Sequence, residues 1–454
     1  MSASRAPRSL RTDARRNRDA LVAAARAEFT KHGLHVTDER IARSAGVGTA
    51  TLRRHFRHRG ALIDEIYLPR MEAEIELLEQ SLQETDWEQV FERFLTECLD
   101  RLGDDPTSGD LLVTPMPTAV RVEAAKQRIH RLLAHQITRY QEAGYLRADL
   151  TIADITLHAL AVMHVAVQTH DIAPNAHRRY AELSADACRA TDAPELDTPP
   201  MTIEQLHRVL TREGDQRWQR RRLPPTGDPG TTERPSNHAP GNIASRNRQA
   251  LLLAAKTEFS AVGLRAPLED IAKRAGVGIG TLYRHFPTRL SLIDALYLRT
   301  LEERNAFLDD SLAMPNALEG LRSYIGRSIE QLTDDIAARD LIAADPPPGT
   351  RSAHAKELFR AKMTELLGKG QRQGSIRGDF TLGDLVMYGL AFTHVRWETR
   401  DCAPDAWRRF NDMLIEALRP ERAHELTGPV LTNEQSLELA QHRARTGWSA
   451  RTHR

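Results

Sequence analysis

The sequence predicts an all-α protein built from one helical unit written twice, and three observations carry that reading. Apolar residues recur at helical spacing along nearly the whole chain, and no alternating strand pattern stands out. The segment AGVGTATLRRHF (45–56) returns as AGVGIGTLYRHF (275–286), with nine of twelve letters shared. In both copies a glycine-containing turn separates two short helical patterns.

The duplication reaches far beyond this segment. Without gaps, residues 16–67 match residues 246–297 at 28 of 52 positions, an offset of 230. At the same offset Gly144, Arg147, Asp149, Thr151 and Asp154 find Gly374, Arg377, Asp379, Thr381 and Asp384. Thr202, Glu204 and Gln205 still find Thr432, Glu434 and Gln435. A duplicated unit of roughly 200 residues explains this, whereas solenoid repeats have periods of about 20–50.

Within the first unit, NRDALVAAARAEFTKHG (17–33) places Leu21, Ala24, Ala25 and Phe29 on one helical face and ends at Gly33, a good C-cap. Thr37 can cap a short helix over 38–46. After the turn, a second short helix begins at TATLRRHF, and a long helix follows from about residue 59. Further helices are predicted over 86–102, around 127–144, and near 151–170 and 174–191. Residues 215–241, rich in Pro, Gly and Arg, read as a flexible tether. Domain boundaries follow at 15–70, 71–213, 214–244 (linker), 245–300 and 301–443.

Composition narrows the function. A 41% hydrophobic share with 28% charged residues fits a soluble protein, and the basic N-terminus has no apolar core of a secretory signal. The apolar stretch 151–167 is interrupted by Asp154, His158 and His164, which reads as a buried helix rather than a membrane span. Three scattered cysteines suggest neither a disulfide framework nor a metal site, and a cytoplasmic protein is expected. The net charge of +1 is strongly segregated: residues 1–60 hold 14 Lys/Arg against 5 Asp/Glu, and residues 231–290 hold 9 against 4. These two basic modules contain the repeated motif, an electrostatic footprint for nucleic acid.

Two short helices joined by such a turn form a helix-turn-helix, whose second helix enters the DNA major groove. Ile41, Ala42, Val47, Leu52 and Phe56 supply the locking apolar contacts, as do Ile271, Ala272, Val277, Leu282 and Phe286 in the second copy. Thr49, Thr51, Arg53, Arg54 and His55 then point outward, against Ile279, Thr281, Tyr283, Arg284 and His285. Hydroxyls and guanidinium groups suit phosphates and base edges. Tyr283 can give one hydrogen bond to a phosphate, while Arg53 can contact guanine bidentately, worth about 1–3 kcal/mol of discrimination. The arms 11–18 and 245–248 are either phosphate or minor-groove contacts or solvated chain.

On these residues, IAKRAGVGIGTLYRHFPTRLSLIDALY (271–297) resembles the DNA-binding segment of the TetR/AcrR family of transcriptional regulators, and IARSAGVGTATLRRHFRHRGALIDEIY (41–67) is a second, less typical match. The resemblance implies two tandem units, each a helix-turn-helix domain followed by a helical regulatory and dimerisation domain. It implies operator DNA as partner and a small-molecule effector. Its DNA-contacting positions fall on Thr37, Thr49, Thr51, Arg53, His55 and Arg59, and on Gly278, Ile279, Gly280, Thr281, Tyr283, His285 and Arg289. Pro267 replaces Thr37 in the second copy, and Arg57 stands where the second copy has Pro287.

Since the family acts as dimers, the duplication reads most simply as a dimer in one chain, with assembly of two chains as the alternative. Candidate effector-pocket residues are His164, Met387, Tyr388, Phe392, His394 and Trp397, with plain core packing as the other reading. The function expected is a ligand-responsive repressor. The rival is a regulator in which only the second unit reads DNA and the first serves as sensor or dimerisation module. No nucleophile elbow, phosphate-binding glycine loop or metal-spaced cluster is present, so neither catalysis nor a cofactor or metal is expected.

Overall fold

In a computed structural model, helix starts recur at a constant interval along the chain. It describes residues 7–32, 34, 36–84, 86, 89–90, 93, 116–190, 196, 198–206, 208–209, 240–262, 266–333, 350–422, 424, 426–432, 434–436 and 438–439. The first repeat supplies α1 (Pro7–His32), α2 (Asp38–Ser44), α3 (Thr49–His55), α4 (Arg59–Ser81), α5 (Val120–Glu142), α6 (Ile152–Thr169) and α7 (Ala176–Cys188). The second supplies α8 (Pro240–Val262), α9 (Leu268–Arg274), α10 (Ile279–His285), α11 (Arg289–Ala313), α12 (Ala317–Thr333), α13 (Arg351–Arg372), α14 (Leu382–Thr399) and α15 (Ala406–Glu416). Helices α2, α3, α4, α6 and α7 each begin 230 residues before their counterparts α9, α10, α11, α14 and α15. Among the described residues there is no strand, only one isolated bridge between Leu146 and Arg189.

The predicted helix over 86–102 falls largely outside the described residues, as does the linker up to residue 239. Residues 240–244 of that linker open α8, and both basic arms, 11–18 and 245–248, lie within α1 and α8. Good helix formers such as Ala and Arg extend these helices upstream of their apolar faces. The α6 segment is long and apolar enough to cross a membrane by length and composition, with a mean hydropathy of 1.3, yet 56% of it is buried.

The chain divides into two compact units, one of residues 1–167 with 188–218 and the other of residues 168–187 with 219–454. In the first, one apolar cluster runs without a break from Leu21, Ala25 and Phe29 on α1 through Ile41, Leu52 and Phe56 to Leu62, Ile66 and Tyr67 on α4 and Val122 and Ile129 on α5. In the second, Leu251, Phe259, Ile271, Leu282 and Phe286 join Leu292, Leu296 and Ala355 in the same way. The long helix leaving each helix-turn-helix therefore shares its core with the helices that follow. A carboxylate reinforces that junction in each repeat. Asp64 accepts the Val122 amide at 2.9 Å at the start of α5, and Asp294 accepts the Ser352 hydroxyl at the start of α13.

Helix ends are set by local chemistry. Gly144 and Gly374 adopt φ of 73° and 65°, a left-handed conformation that stops α5 and α13 and lets the following amides bond back to Tyr140 and Gly370. One side-chain amide then pins the outgoing loop. Gln141 Nε2 donates to the carbonyls of Arg147, Ala148 and Leu150 at 3.0, 3.1 and 2.9 Å, and Gln371 does the same for Arg377, Gly378 and Phe380. Asp154 and Asp384 accept from the amides of Thr151 and Thr381 at 2.9 and 2.8 Å, reciprocal capping at the starts of α6 and α14.

The second unit contains two buried ion pairs. Arg179 on α7 donates to both carboxylate oxygens of Asp384, at 2.7 and 3.2 Å. Arg377, 1% exposed, donates to Asp186 at 2.6 Å and to Asp379 at 2.7 Å. Its guanidinium also reaches the His424 carbonyl. A charge so buried is tolerable only when paired and hydrogen-bonded. Arg377→Met alone or Asp186→Leu alone should therefore lower the stability of this unit by roughly 3–5 kcal/mol, and the double variant should recover most of the loss. Urea denaturation followed by circular dichroism measures both.

Candidate nucleic-acid interface

Each helix-turn-helix is set by a glycine and an apolar lock. Gly46 and Gly276 both adopt φ of 69° in the turn, where an L side chain would be strained. The amides of Val47 and Val277 return to the carbonyls of Ala42 and Ala272 at 2.9 and 3.0 Å, closing the turn. Buried Leu52 and Leu282 face inward from α3 and α10. The opposite face of each seven-residue helix stays open.

Arg53 and Arg54 are exposed on α3, and Tyr283 (47% exposed) and Arg284 on α10. Ile279 is 37% exposed at the helix start. Thr49, Thr51, Thr281, His55 and His285 are half-buried along the edge of the same face. Thr281 accepts a hydrogen bond from Arg284 at 3.3 Å. Gly278 and Gly280 carry ordinary backbone angles, and a Cβ added at either would meet nothing within 4 Å. Neither strain nor packing within the chain requires glycine there. What it leaves is a bare backbone open to close approach from outside.

Two arginines expected on the DNA-facing set are engaged within their own domains. Arg59 donates to Asp38 at 3.1 Å and to the Leu34 carbonyl at 2.6 Å, and its guanidinium lies 5.2 Å from the centre of the Phe29 ring. Burial pushes its pKa down, opposed by the charge of Asp38. Arg289 likewise donates to the Ala266 carbonyl at 2.6 Å. Both clamp the loop before the first short helix onto the long helix. Thr37 is exposed and caps α2, accepting the Arg40 amide at 3.4 Å, a role that Pro267 cannot fill in the second copy.

Sequence reading did not single out the arginines beneath the lock. The Arg18 guanidinium sits 4.8 Å from the centre of the Phe56 ring, and Arg248 sits 4.5 Å from that of Phe286. Their signal lay in the repeat itself, since both pairs keep the offset of 230.

The pattern described as bacterial regulatory proteins of the tetR family matches residues 21–66 and 251–296, once in each repeat. The chain is also 31% identical over 171 residues to the HTH-type transcriptional repressor KstR2 of Mycobacterium tuberculosis, a match that covers 35% of this chain and 83% of the relative. The chain belongs to the TetR family. Similarity extends to the repressor KstR of Mycolicibacterium smegmatis, at 27% over 143 residues covering 29% of this chain and 68% of that one. Among solved structures, a TetR transcriptional regulator from Streptomyces coelicolor shares 34% identity over 38% of this chain and 98% of its own, with a TM-score of 0.30. Two TetR-type helix-turn-helix modules in one chain make this protein a DNA-binding transcriptional regulator.

The residues expected to form the effector pocket fall into two groups. Met387 and Tyr388 are fully buried and Phe392 nearly so. The Tyr388 ring packs 5.3 Å from Phe380, 6.0 Å from Phe392 and 5.8 Å from Tyr180. Its hydroxyl donates to the Leu414 carbonyl at 3.3 Å, and burial, with Asp384 nearby, raises its pKa well above the usual phenol range. These side chains have protein on every side that their chemistry requires. His164, His394 and Trp397 are half-buried, and the Arg400 guanidinium lies 3.6 Å from the centre of the Trp397 ring.

The contrast between Arg59 and Arg53 is measurable. Arg59→Ala should cost the first helix-turn-helix about 1.5–3 kcal/mol, the range for hydrogen bonds to a charged group. Arg53→Ala, on the open face, should stay within about 0.5 kcal/mol. Thermal and urea unfolding of the two variants would show it.

Proposed function

We propose that this TetR-family chain is a cytoplasmic, ligand-responsive repressor whose two repeats stand in for the two subunits of a dimer, reading an operator of two unlike half-sites. The observation that carries the reading is the composition of the second compact unit, which takes in residues 168–187 of the first repeat. Within it Arg179 and Asp186 are buried and paired with Asp384 and Arg377. A closing helix held by paired buried charges, rather than by exposed ones, suits a permanent association. The repressor assignment follows the two relatives, both described as transcriptional repressors.

The unlike half-sites rest on the open faces of α3 and α10. Exposed Arg53 stands where exposed Tyr283 stands in the other copy, beside Ala50 against Gly280 and Arg57 against Pro287. A guanidinium favours a bidentate guanine contact, while a phenol favours a phosphate. The proposed DNA-contacting set is Thr37, Thr49, Thr51, Arg53 and His55 with Gly278, Ile279, Gly280, Thr281, Tyr283 and His285. Arg59 and Arg289 support it from behind.

Sedimentation of the purified protein, alone and with DNA from upstream of its own gene, tests the assembly. The expected result is a 51 kDa species binding one site one-to-one. A homodimer of chains on the same DNA would replace the pseudo-dimer with an intermolecular one. For the half-sites, Arg53→Ala should weaken binding to the natural operator roughly 5- to 150-fold, equivalent to about 1–3 kcal/mol. If Arg53→Ala has no effect while Tyr283→Ala abolishes binding, the second repeat alone reads DNA and the first serves as its partner.

A further inference from the structure

Helix α11 of the second repeat holds a buried cation that has no counter-charge among the described residues. Arg304 on α11 is 8% exposed. Its Nε and Nη2 donate to the Tyr324 hydroxyl of α12 at 3.1 and 2.5 Å. The guanidinium lies 5.5 Å from the centres of both the Tyr324 and Phe359 rings, the latter on α13. Among the described residues Nη1 has no hydrogen-bond partner, and no carboxylate pairs with the group. The acids within six residues of it on α11 pair elsewhere: Glu302 with Arg351 at 3.7 Å, Glu303 with Arg299 at 3.1 Å, Asp309 with Lys362 at 2.5 Å and Asp310 with Arg327 at 2.6 Å.

Two more buried polar groups lie on α11 and α12. Asn305, next along α11, donates through Nδ2 to the Ala355 carbonyl at 3.0 Å, while its Oδ1 has no partner among the described residues. Ser328, 5% exposed and one turn beyond Tyr324 on the same face of α12, has an unpartnered Oγ. Leu301, Leu308 and Ile325 on these helices are buried. The three-helix cluster thus combines apolar and aromatic surface with two spare donors and one spare acceptor. An unpaired guanidinium in such surroundings is costly, and the cost is relieved by an anion that can bond to it.

The first repeat has nothing comparable at the matching positions. Where the second has Arg304, Asn305, Ser328 and Phe359, the first has Glu74, Ile75, Cys98 and Ile129. Ile75 and Ile129 are buried in its apolar core.

We propose that the second repeat binds one small apolar carboxylic acid per chain, its carboxylate held by Arg304 Nη1 and the Ser328 hydroxyl and its body lying against Tyr324 and Phe359. A guanidinium and a carboxylate match in shape and charge, which makes the acid favoured over its neutral derivatives. The site names the effector class for the ligand-responsive reading above and rests on that reading.

Calorimetric titration of the full chain with a panel of probes tests the site directly. The panel runs from benzoate to 2-naphthoate and from hexanoate to dodecanoate, each acid paired with its primary amide. The expected result is saturable binding of at least one acid at one per chain, with the amide weaker by about tenfold or more. Arg304→Gln should reduce acid affinity about tenfold to a hundredfold and abolish the preference over the amide. Ser328→Ala, a milder change that keeps the fold, should weaken the acid and leave the amide unchanged. Absence of saturable binding across the panel, equal binding of acid and amide, or binding unaffected by Arg304→Gln in a folded variant would each overturn the proposal. Operator binding is measured in parallel by fluorescence anisotropy. Acids that bind through Arg304 without changing operator affinity would keep the site and remove the ligand-responsive reading. Operator release by neutral compounds alone, with no acid bound, would do the reverse.

Discussion

A guanidinium taken out of water has to be neutralised where it lies, and much of the second unit is organised by meeting that demand. Arg377 sits midway along the loop between α13 and α14, and its donors reach Asp379 in the same loop, Asp186 from the first repeat's closing helix and the His424 carbonyl. Asp384 caps α14 and simultaneously accepts Arg179. The helix start, the loop and the packed closing helix therefore share the same few charges. Aromatic rings of Tyr180, Phe380, Tyr388, Phe392 and Phe410 fill the space around them at centre distances of 5.3–6.0 Å. Low polarity there strengthens every such bond and makes the loss of one partner expensive.

The helix-turn-helices are held by a different device. Each is two seven-residue helices that could not hold their shape alone. They are kept in place by the apolar cluster beneath them, by a left-handed glycine in the turn and by an arginine clamp from the long helix. The same cluster continues into α5 in the first unit and reaches Ala355 on α13 in the second, so each helix-turn-helix is packed directly onto the helices that follow it. A shift of α5 or α13 of even an ångström must be absorbed by α4 or α11, since close-packed cores do not deform continuously.

The helix-turn-helix was legible in the sequence because all its determinants are local. The apolar lock, the two glycines and the cap at Thr37 lie within about twenty residues, and helical spacing alone puts Leu52 inward and Arg53 outward. The two helix-turn-helix modules and the closing helices emerged where the periodicity placed them. What escaped was decided at longer range. Arg59 looks like a DNA-facing cation by charge and position, and only the folded loop shows the Leu34 carbonyl, 25 residues earlier, accepting from its Nη2 while Asp38 accepts from Nη1. The partners of Arg179 and Arg377 lie 205 and 191 residues away in the chain, beyond any local pattern. Arg304 is a single charged letter in a long helix, where such a residue is ordinarily solvated; burial, which no spacing rule reports, is what makes it unusual. The Tyr388 cluster carried the opposite ambiguity, since an aromatic stripe reads equally as pocket lining or core.

The separate encoding of the two recognition helices has a genetic consequence. In a homodimer any substitution in the gene appears in both subunits, so an altered head must suit both halves of its target at once. Here α3 and α10 are specified by different codons 230 residues apart. A substitution in one helix-turn-helix therefore leaves the sequence of the other untouched, so the two can diverge independently. Arg53 against Tyr283, and Ala50 against Gly280, mark two copies of one helix that have already diverged on their exposed faces.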